Sequence, residues 1–138
     1  QDREKLYIGR INYRGLLRYE GARLENDHLT ASINALGDFK VGIDTKPPKI
    51  QSLDFSDEKW ISNLNEINFK IIDEDTGIKS YRATINGKFA LMEYEYKKNQ
   101  LTYSFGDGIS VSGANEFKLI VTDNVGNSTT IEATFYRK

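Results

Sequence analysis

The sequence predicts an all-β fold, and three observations support this prediction. Apolar and polar residues alternate in short segments along the whole chain, as they do in half-buried strands. No segment carries apolar residues at the 3.6-residue period of an amphipathic helix. Glycine, asparagine, aspartate and proline separate the alternating segments at short intervals, which is typical of all-β domains. An apolar content of 38% is sufficient for a packed core, so we do not expect a disordered chain.

Two segments of the chain share one order of residue types. Residues 37–44 and residues 115–123 both contain an acidic residue, then Phe-Lys, then alternating apolar residues, and both end in aspartate. The first copy runs into Pro47 and Pro48, and the second runs into an Asp-Asn-Val-Gly-Asn turn. Because each copy has the character of a strand near the end of a domain, the repetition predicts two β modules in series.

The first module is predicted to end at residue 44. Its expected strands cover residues 5–11, 16–20, 29–33 and 38–44. Pro47 and Pro48 then fix two φ angles and remove two backbone donors, so we place a boundary there, between modules 1–44 and 45–138. Four short strands bury too little surface to fold without support. Either this module docks onto the second one, or it is the last part of a preceding sandwich, and we favour the latter.

The second module has the pattern of an immunoglobulin-like sandwich. Asn86-Gly87 is the strongest hairpin signal, because both residues tolerate the positive φ of a type I′ turn. Cysteine is absent, so the sandwich would be of the variety without a disulfide. Seven expected strands match the strand number of an immunoglobulin-like domain, and they cover residues 49–55, 66–73, 78–85, 88–96, 101–105, 117–123 and 129–136.

Composition and charge argue against several classes of function. The 19 basic and 20 acidic residues are interspersed and give a net charge of −1, which disfavours binding to nucleic acid or to an anionic membrane. No apolar run is long enough to span a bilayer, so membrane insertion is not expected. Without cysteine there is no thiolate nucleophile, and the single histidine, His28, leaves no histidine pair for a zinc site. We therefore do not expect an enzyme.

Acidic residues at predicted strand ends form the candidate metal site. Asp73 and Asp75 follow one expected strand and Asp123 ends another, and these two strands are expected to end at one pole of the sandwich. Asp44, beside the linker, is an outside candidate. Carboxylate oxygens suit calcium, whereas zinc prefers nitrogen and sulfur ligands. The other interpretation, which we favour, is that Asp73 and Asp123 each cap their own turn through backbone N–H groups. Calcium is the one cofactor that the sequence leaves open.

Tyr94 and Tyr96 are the candidate ligand-binding residues. If both lie on one face of their strand, with Glu93 and Glu95 on the other, their rings could stack on sugars. The alternative is that these rings fill the core or flank a sheet edge, as strand aromatics usually do. The two glutamates do not by themselves indicate acid–base catalysis, because nothing in the sequence indicates a cleft around them. Exposure of Tyr94, Tyr96 and Trp60 would distinguish a glycan-binding module from a spacer.

With its strands placed, the second module resembles a known family. The residues that carry the resemblance are, in order, Asp44-Thr45-Lys46-Pro47-Pro48, Asp73-Glu74-Asp75-Thr76-Gly77, Asn86-Gly87-Lys88 and Asp123-Asn124-Val125-Gly126-Asn127. They resemble the immunoglobulin-like modules at the C-terminal end of bacterial envelope-associated zinc metallopeptidases of the lysostaphin (LytM-like) type. The resemblance covers residues 44–138 and implies that residues 1–43 are the tail of a preceding module. The peptidase's own metal motifs have no counterpart here, so the resemblance implies no catalytic residue.

These observations together predict a non-catalytic accessory or spacer module, attached to a cell-wall metallopeptidase. The expected location is the periplasm, the cell envelope or the secreted fraction of a bacterium. The expected partner is a neighbouring domain of the same polypeptide, with cell-wall glycan or a surface protein as further candidates. The alternative function is an adhesion module that binds carbohydrate or protein.

Overall fold

The computed structural model describes residues 2–138 and confirms the predicted all-β fold. This part of the chain has fourteen strands, a 3₁₀ turn at Arg3–Lys5 and no helix that could cross a membrane. The strands of the first module are β1 (Leu6–Ile11), β2 (Leu17–Gly21), β3 (Arg23–Glu25), β4 (His28–Thr30) and β5 (Phe39–Ile43). Those of the second module are β6 (Lys49–Ser52), β7 (Lys59–Trp60), β8 (Glu66–Ile72), β9 (Ile78–Ile85), β10 (Lys88–Ala90), β11 (Glu93–Glu95), β12 (Gln100–Ser104), β13 (Gly113–Asp123) and β14 (Ser128–Arg137).

The first module is a three-stranded antiparallel sheet with a small hairpin beside it. β1 lies in the middle of the sheet, between β2 and β5. β3 and β4 form the hairpin, and Asn26 and Asp27 at its tip have positive φ, which these two residue types tolerate better than most. Tyr7, at 5% exposed, is the one large apolar side chain of residues 2–44 that is buried. The module therefore has very little core of its own.

The second module is a β-sandwich of two sheets. One sheet has five strands in the order β10-β9-β13-β14-β7, and the other has four in the order β11-β12-β8-β6. Neighbouring strands are antiparallel except for β14 and β7, which pair in parallel. Every second residue of β13 from Asn115 to Asp123 is buried, because one face of this strand packs on the core.

Aromatic rings join the two sheets in the core. Phe69 of β8 stacks on Phe117 of β13, with ring centroids 5.3 Å apart. Phe55 meets the rings of Phe69, Phe117 and Phe135 edge-on, at 6.1, 6.0 and 6.0 Å. Such edge-on and offset contacts add to the stabilisation that burial alone provides. All residues of this buried cluster lie between Phe55 and Phe135, so the core belongs to the second module.

The expected strand 88–96 is divided in the structure. β10 belongs to the five-stranded sheet and β11 to the four-stranded sheet, with Leu91 and Met92 between them. The chain crosses from one sheet to the other between these strands. Ala90 before the crossing and Met92 within it are both buried in the core. Alternation along a sequence does not reveal such a change of sheet. With β7 as a further strand, the sandwich has nine strands where seven were predicted.

Two elements have weak sequence signals for identifiable reasons. β7 has only two residues, too few for alternation to show. β13 begins at Gly113, four residues before the expected start at residue 117. The apolar alternation does not show this earlier start, because a polar residue occupies a core-facing position. Asn115 is fully buried there, and its side chain bonds Val111 in both directions, at 2.7 Å from the Val111 amide and 2.8 Å to the Val111 carbonyl.

Candidate functional site at the junction of the modules

The turn after β13 is built around the carboxylate of Asp123. Its Oδ1 accepts hydrogen bonds from the main-chain amides of Val125 and Asn127, at 2.9 and 2.8 Å. Its Oδ2 accepts a bond from the side-chain amide of Asn127 at 2.7 Å. Gly126 has a φ of +82°, which glycine adopts without the steric cost that a side chain would bring. Aspartate, glycine and asparagine at these positions therefore make this turn.

The loop after β8 uses Asp73 in a similar way. Oδ2 of Asp73 accepts hydrogen bonds from the main-chain amides of Thr76 and Gly77, both at 2.8 Å. Asp73 and Asp123 therefore both accept the main-chain hydrogen bonds that the turn-capping interpretation predicts. The two loops are joined to each other, because the Asn124 side chain donates to the Thr76 carbonyl at 2.8 Å.

Asp44 connects the first module to both loops. It follows β5 and is completely buried. Its Oδ2 accepts a hydrogen bond from the Thr76 hydroxyl at 2.6 Å, and its Oδ1 accepts one from the Lys46 amide at 3.0 Å. Its main-chain carbonyl accepts a bond from the Asn127 side chain at 2.9 Å. The last residue of the first module is thereby bonded to the loop after β8 and to the turn after β13.

One further bond crosses the junction. The Lys5 ammonium group donates to the main-chain carbonyl of Val125 at 3.1 Å. Beside it, within the second module, the Thr129 hydroxyl donates to the carbonyl of Pro48, which is itself buried. The side-chain nitrogen and oxygen atoms that are buried in residues 2–138 all have hydrogen-bond partners, so the polar groups of the junction are satisfied.

The same junction brings three carboxylates together. Asp44, Asp73 and Asp123 each have an oxygen atom within 4.8 Å of the others. Burial raises the pKa of Asp73, and the negative charges of Asp44 and Asp123 raise it further, while the amides of Thr76 and Gly77 act in the opposite direction. Negative charge therefore accumulates at this point of the molecule.

The position of Asp75 differs from that of the other predicted metal ligands. Asp75 is half-buried and is not in the group of three carboxylates that come close together. Instead, its charge acts on the phenol of Tyr7, whose pKa is raised first by burial and then by Asp75, Asp44 and Asp73. The outside candidate Asp44 occupies the place that the sequence assigned to Asp75. Calcium binding by the group stays a prediction.

Sequence reasoning did not identify the polar residues that complete the junction. Thr76, Asn124, Asn127 and Lys5 lie in or beside turns, where such residues usually serve only the local backbone. The available signal was that the Asp-Asn-Val-Gly-Asn turn and the Asp-Thr-Gly loop follow strands that end at one pole.

The predicted aromatic site is divided between two environments. Tyr94 is half-buried on β11 and packs edge-on against Tyr81, with ring centroids 5.5 Å apart. Tyr96 lies beyond the end of β11 and is 70% exposed. Trp60 is also exposed, at 57%, but belongs to β7 at an edge of the other sheet. Ligand binding at Tyr94 and Tyr96 stays a prediction.

The protein-family models and the curated proteins give no match to this sequence. Among solved structures, the endo-beta-1,4-mannanase from Thermotoga petrophila is similar over 69% of this chain and 20% of its own, with a TM-score of 0.56 and 10% identity. The fibronectin(III)-like modules of Clostridium thermocellum CbhA are similar over 74% of this chain and 56% of theirs, with a TM-score of 0.50 and 14% identity. The chain thus spans less than two thirds of either structure. At such identities the likeness shows the fold alone: this chain contains a β-sandwich like those of fibronectin(III)-like modules.

Proposed function

We propose that this chain is a non-catalytic accessory module that works as a spacer and holds its two β modules in one orientation. The observation that carries the proposal is the buried junction around Asp44. Side-chain and main-chain atoms of this residue bond to Thr76 and Asn127 of the sandwich. A linker between freely moving modules is typically exposed, flexible and crossed by few contacts. Here Asp44 and Pro48, at the two ends of this connection, are buried, and only residues 45–47 between them are exposed.

The bonds of the junction favour one orientation because they are directional, and the bond from Thr76 to Asp44 is buried. Separating the modules would leave Asp44 and the Asn127 side chain without these partners. A hydrogen bond contributes about 0.5–1.5 kcal/mol to stability, and about 1.5–3 kcal/mol where one partner is charged. The bond from Lys5 to Val125 adds a tie from the start of β1, so the junction restrains rotation as well as separation.

The placement of the ionisable groups supports a non-catalytic role. The ring of His28 is exposed and contacts the main-chain carbonyl of Asn26 at 2.9 Å. Glu93 and Glu95 are exposed on β11, and Glu95 lies 3.7 Å from Lys98. The carboxylates that do meet, at the junction, accept hydrogen bonds from their own turns. In these arrangements the acidic groups have structural roles.

We extend the proposal to the parent protein on the strength of the sequence resemblance. The chain would then be part of a bacterial envelope or secreted protein, joined to a cell-wall metallopeptidase as its neighbouring domain. A fold shared with fibronectin(III)-like modules fits a part of a larger, modular protein. Reading the gene on both sides of this segment tests the extension. A neighbouring segment with the paired histidines of a zinc peptidase supports it, and any other neighbour contradicts it.

The spacer role is tested by measuring the relative orientation of the modules in solution. Residual dipolar couplings from residues 6–43 and from residues 66–137 should fit one common alignment tensor. In the double variant Thr76→Val with Asn127→Ala, both side-chain bonds to Asp44 are lost, so the couplings of residues 6–43 should no longer fit the tensor of the sandwich.

A matched control uses a hydroxyl outside the junction. Thr30→Val removes a hydroxyl-to-carbonyl bond to Arg23 within the β3–β4 hairpin, and it should leave the common tensor unchanged. Two independent tensors in the unaltered protein would contradict the spacer role, whatever the folding state of the variants.

A further inference from the structure

The outer face of the five-stranded sheet carries a row of side chains, one aromatic and three polar, that crosses four strands. On this face Phe89 of β10 lies opposite Thr84 of β9, Thr84 opposite Lys118 of β13, and Lys118 opposite Glu132 of β14. Residues directly opposite each other on antiparallel strands lie on the same face of the sheet. The alternate residues Ala83, Phe117 and Ala133 face the core. This row is therefore directed to solvent.

A groove of about 420 Å³ lies on this outer face. Its floor includes Thr84, Glu116 and Lys118, and Gly87 of the β9–β10 hairpin contributes to one side. On the β14 side stands Asp57, whose carboxylate accepts a hydrogen bond from the Thr134 amide at 2.7 Å. The groove thus presents hydroxyl, carboxylate and ammonium groups on a rigid sheet.

Exposed aromatic rings stand at both edges of the same face. Phe89, on the edge strand β10, is 57% exposed. Trp60, on the opposite edge strand β7, is also 57% exposed and lies against Tyr136 with ring centroids 5.2 Å apart. The two edges are four strand spacings apart, about 19 Å, and Tyr136 lies four residues beyond Glu132 along β14, about 13 Å. The rings therefore flank the groove diagonally.

The charge of the groove restricts what it can bind. Asp57, Glu116 and Glu132 contribute three carboxylates, against one ammonium group from Lys118, which lies 3.7 Å from Glu132. An anionic ligand such as a nucleic acid or an acidic polysaccharide would be repelled. A neutral ligand with many hydroxyl groups would instead find acceptors in the carboxylates and a donor in Lys118.

We propose that this outer face binds a neutral, linear oligosaccharide, which lies diagonally across the strands from Phe89 to Trp60. Sugar rings have apolar C–H faces that stack on aromatic rings, and hydroxyl rims that bond the polar groups between them. The two aromatic edges suit a chain of repeating rings better than a single small molecule. This binding function is independent of the spacer role and uses neither Tyr94 nor Tyr96.

Calorimetric titration of the whole chain tests the proposal with four probes. Cellohexaose, mannohexaose and hexa-N-acetylchitohexaose are neutral, and hexagalacturonate is the anionic control. At least one neutral probe should bind, and hexagalacturonate should not. Trp60 is the only tryptophan of the chain, so its fluorescence should change on binding and report directly on this face.

Variants locate the binding site. Trp60→Ala and Phe89→Ala should each weaken binding at least about tenfold, which corresponds to 1.4 kcal/mol. Tyr13→Ala is the matched control, because Tyr13 is an exposed aromatic residue of the first module, 90% exposed, and binding should be unchanged. Amide NMR spectra confirm that each variant is folded.

Three results would overturn the proposal. The first is that none of the neutral hexasaccharides binds at millimolar concentration. The second is that binding survives in both Trp60→Ala and Phe89→Ala, or that Tyr13→Ala weakens it instead. The third is that oligolysine binds the acidic groove while the neutral probes do not. None of these results bears on the orientation of the modules, so failure here leaves the spacer role to its own test.

Discussion

At the scale of single residues, aspartate side chains hold two loops of this protein through hydrogen bonds to the main chain. Asp73 and Asp123 each accept main-chain hydrogen bonds from the residues that follow them; Asp73 directly follows β8, and Asp123 is the last residue of β13. Asp123 is fully buried and accepts three bonds in all, so its removal affects more partners than that of an exposed aspartate.

Asp123→Ala should lower the free energy of unfolding by about 3 kcal/mol. The substitution leaves the amides of Val125 and Asn127 without their acceptor in a buried turn, and each unsatisfied group costs about 1–3 kcal/mol. Urea denaturation measures the change. Asp75→Ala is the comparison, since no hydrogen bond within residues 2–138 depends on that side chain, and it should cost under about 1 kcal/mol. Equal losses in the two variants would contradict this account of the turn.

The raised pKa of Asp73 makes a prediction about pH. The pKa is higher in the folded protein than the ordinary value of 3.8, so above pH 3.8 the folded state holds more protons than the unfolded state until Asp73 has titrated. Its contribution to stability therefore falls as the pH rises through this interval, and stays lower above it. Asp73→Asn keeps an acceptor for Thr76 and Gly77 but does not titrate.

The measurement is urea denaturation of both proteins from pH 3.5 to pH 7. The stability of Asp73→Asn relative to the unaltered protein should increase as the pH rises, and then level off. A difference that is constant across this range would show that Asp73 does not titrate with a raised pKa.

At the scale of strands and loops, sequence patterns predict much of the architecture. Alternation located most strands, and strand direction indicated that Asp73 and Asp123 belong to one pole. The division between β10 and β11 was not predictable, since Ala90 and Met92 continue an unbroken alternation. The hydrogen bonds of Thr76 and Asn127 to Asp44 were also not predictable. Asp44 lies 32 and 83 residues away from them in the sequence, and local turn chemistry gives no information over such distances.

Calcium binding belongs to this scale, because its three ligands follow or end different strands. A cation would offset the repulsion among Asp44, Asp73 and Asp123, so calcium binding at this point would raise the midpoint of thermal unfolding in millimolar calcium, and a chelator would reverse the effect. Asp44→Asn should abolish the increase, whereas Asp75→Asn should retain it, because Asp75 stands apart from the group. Identical midpoints with calcium and with chelator would leave the aspartates as turn caps only.

At the scale of the whole molecule, the two modules differ in how they are stabilised. The sandwich has a continuous aromatic and aliphatic core, whereas the first module has Tyr7 as its one large buried apolar side chain among residues 2–44. The first module therefore depends on the junction, and the sandwich does not.

Separate expression of the two parts should show this asymmetry. Residues 45–138 should give a well-dispersed NMR spectrum, since their core is complete without the first module. Residues 1–44 alone should give the narrow dispersion of an unfolded chain, because so little apolar surface is buried within them. A collapsed spectrum for residues 45–138, or a folded one for residues 1–44, would refute the predicted boundary.

The long pairing of β14 with β13 has a mechanical consequence. Ten residue pairs join these strands, and the chain enters the sandwich through β6 and leaves through β14 at the opposite pole. Tension applied between the two ends would therefore pull along the strands and load their hydrogen bonds in shear, all together, instead of opening them one at a time. In a protein anchored at one end and stretched at the other, such a sandwich would resist extension better than one whose terminal strand peels away from an edge.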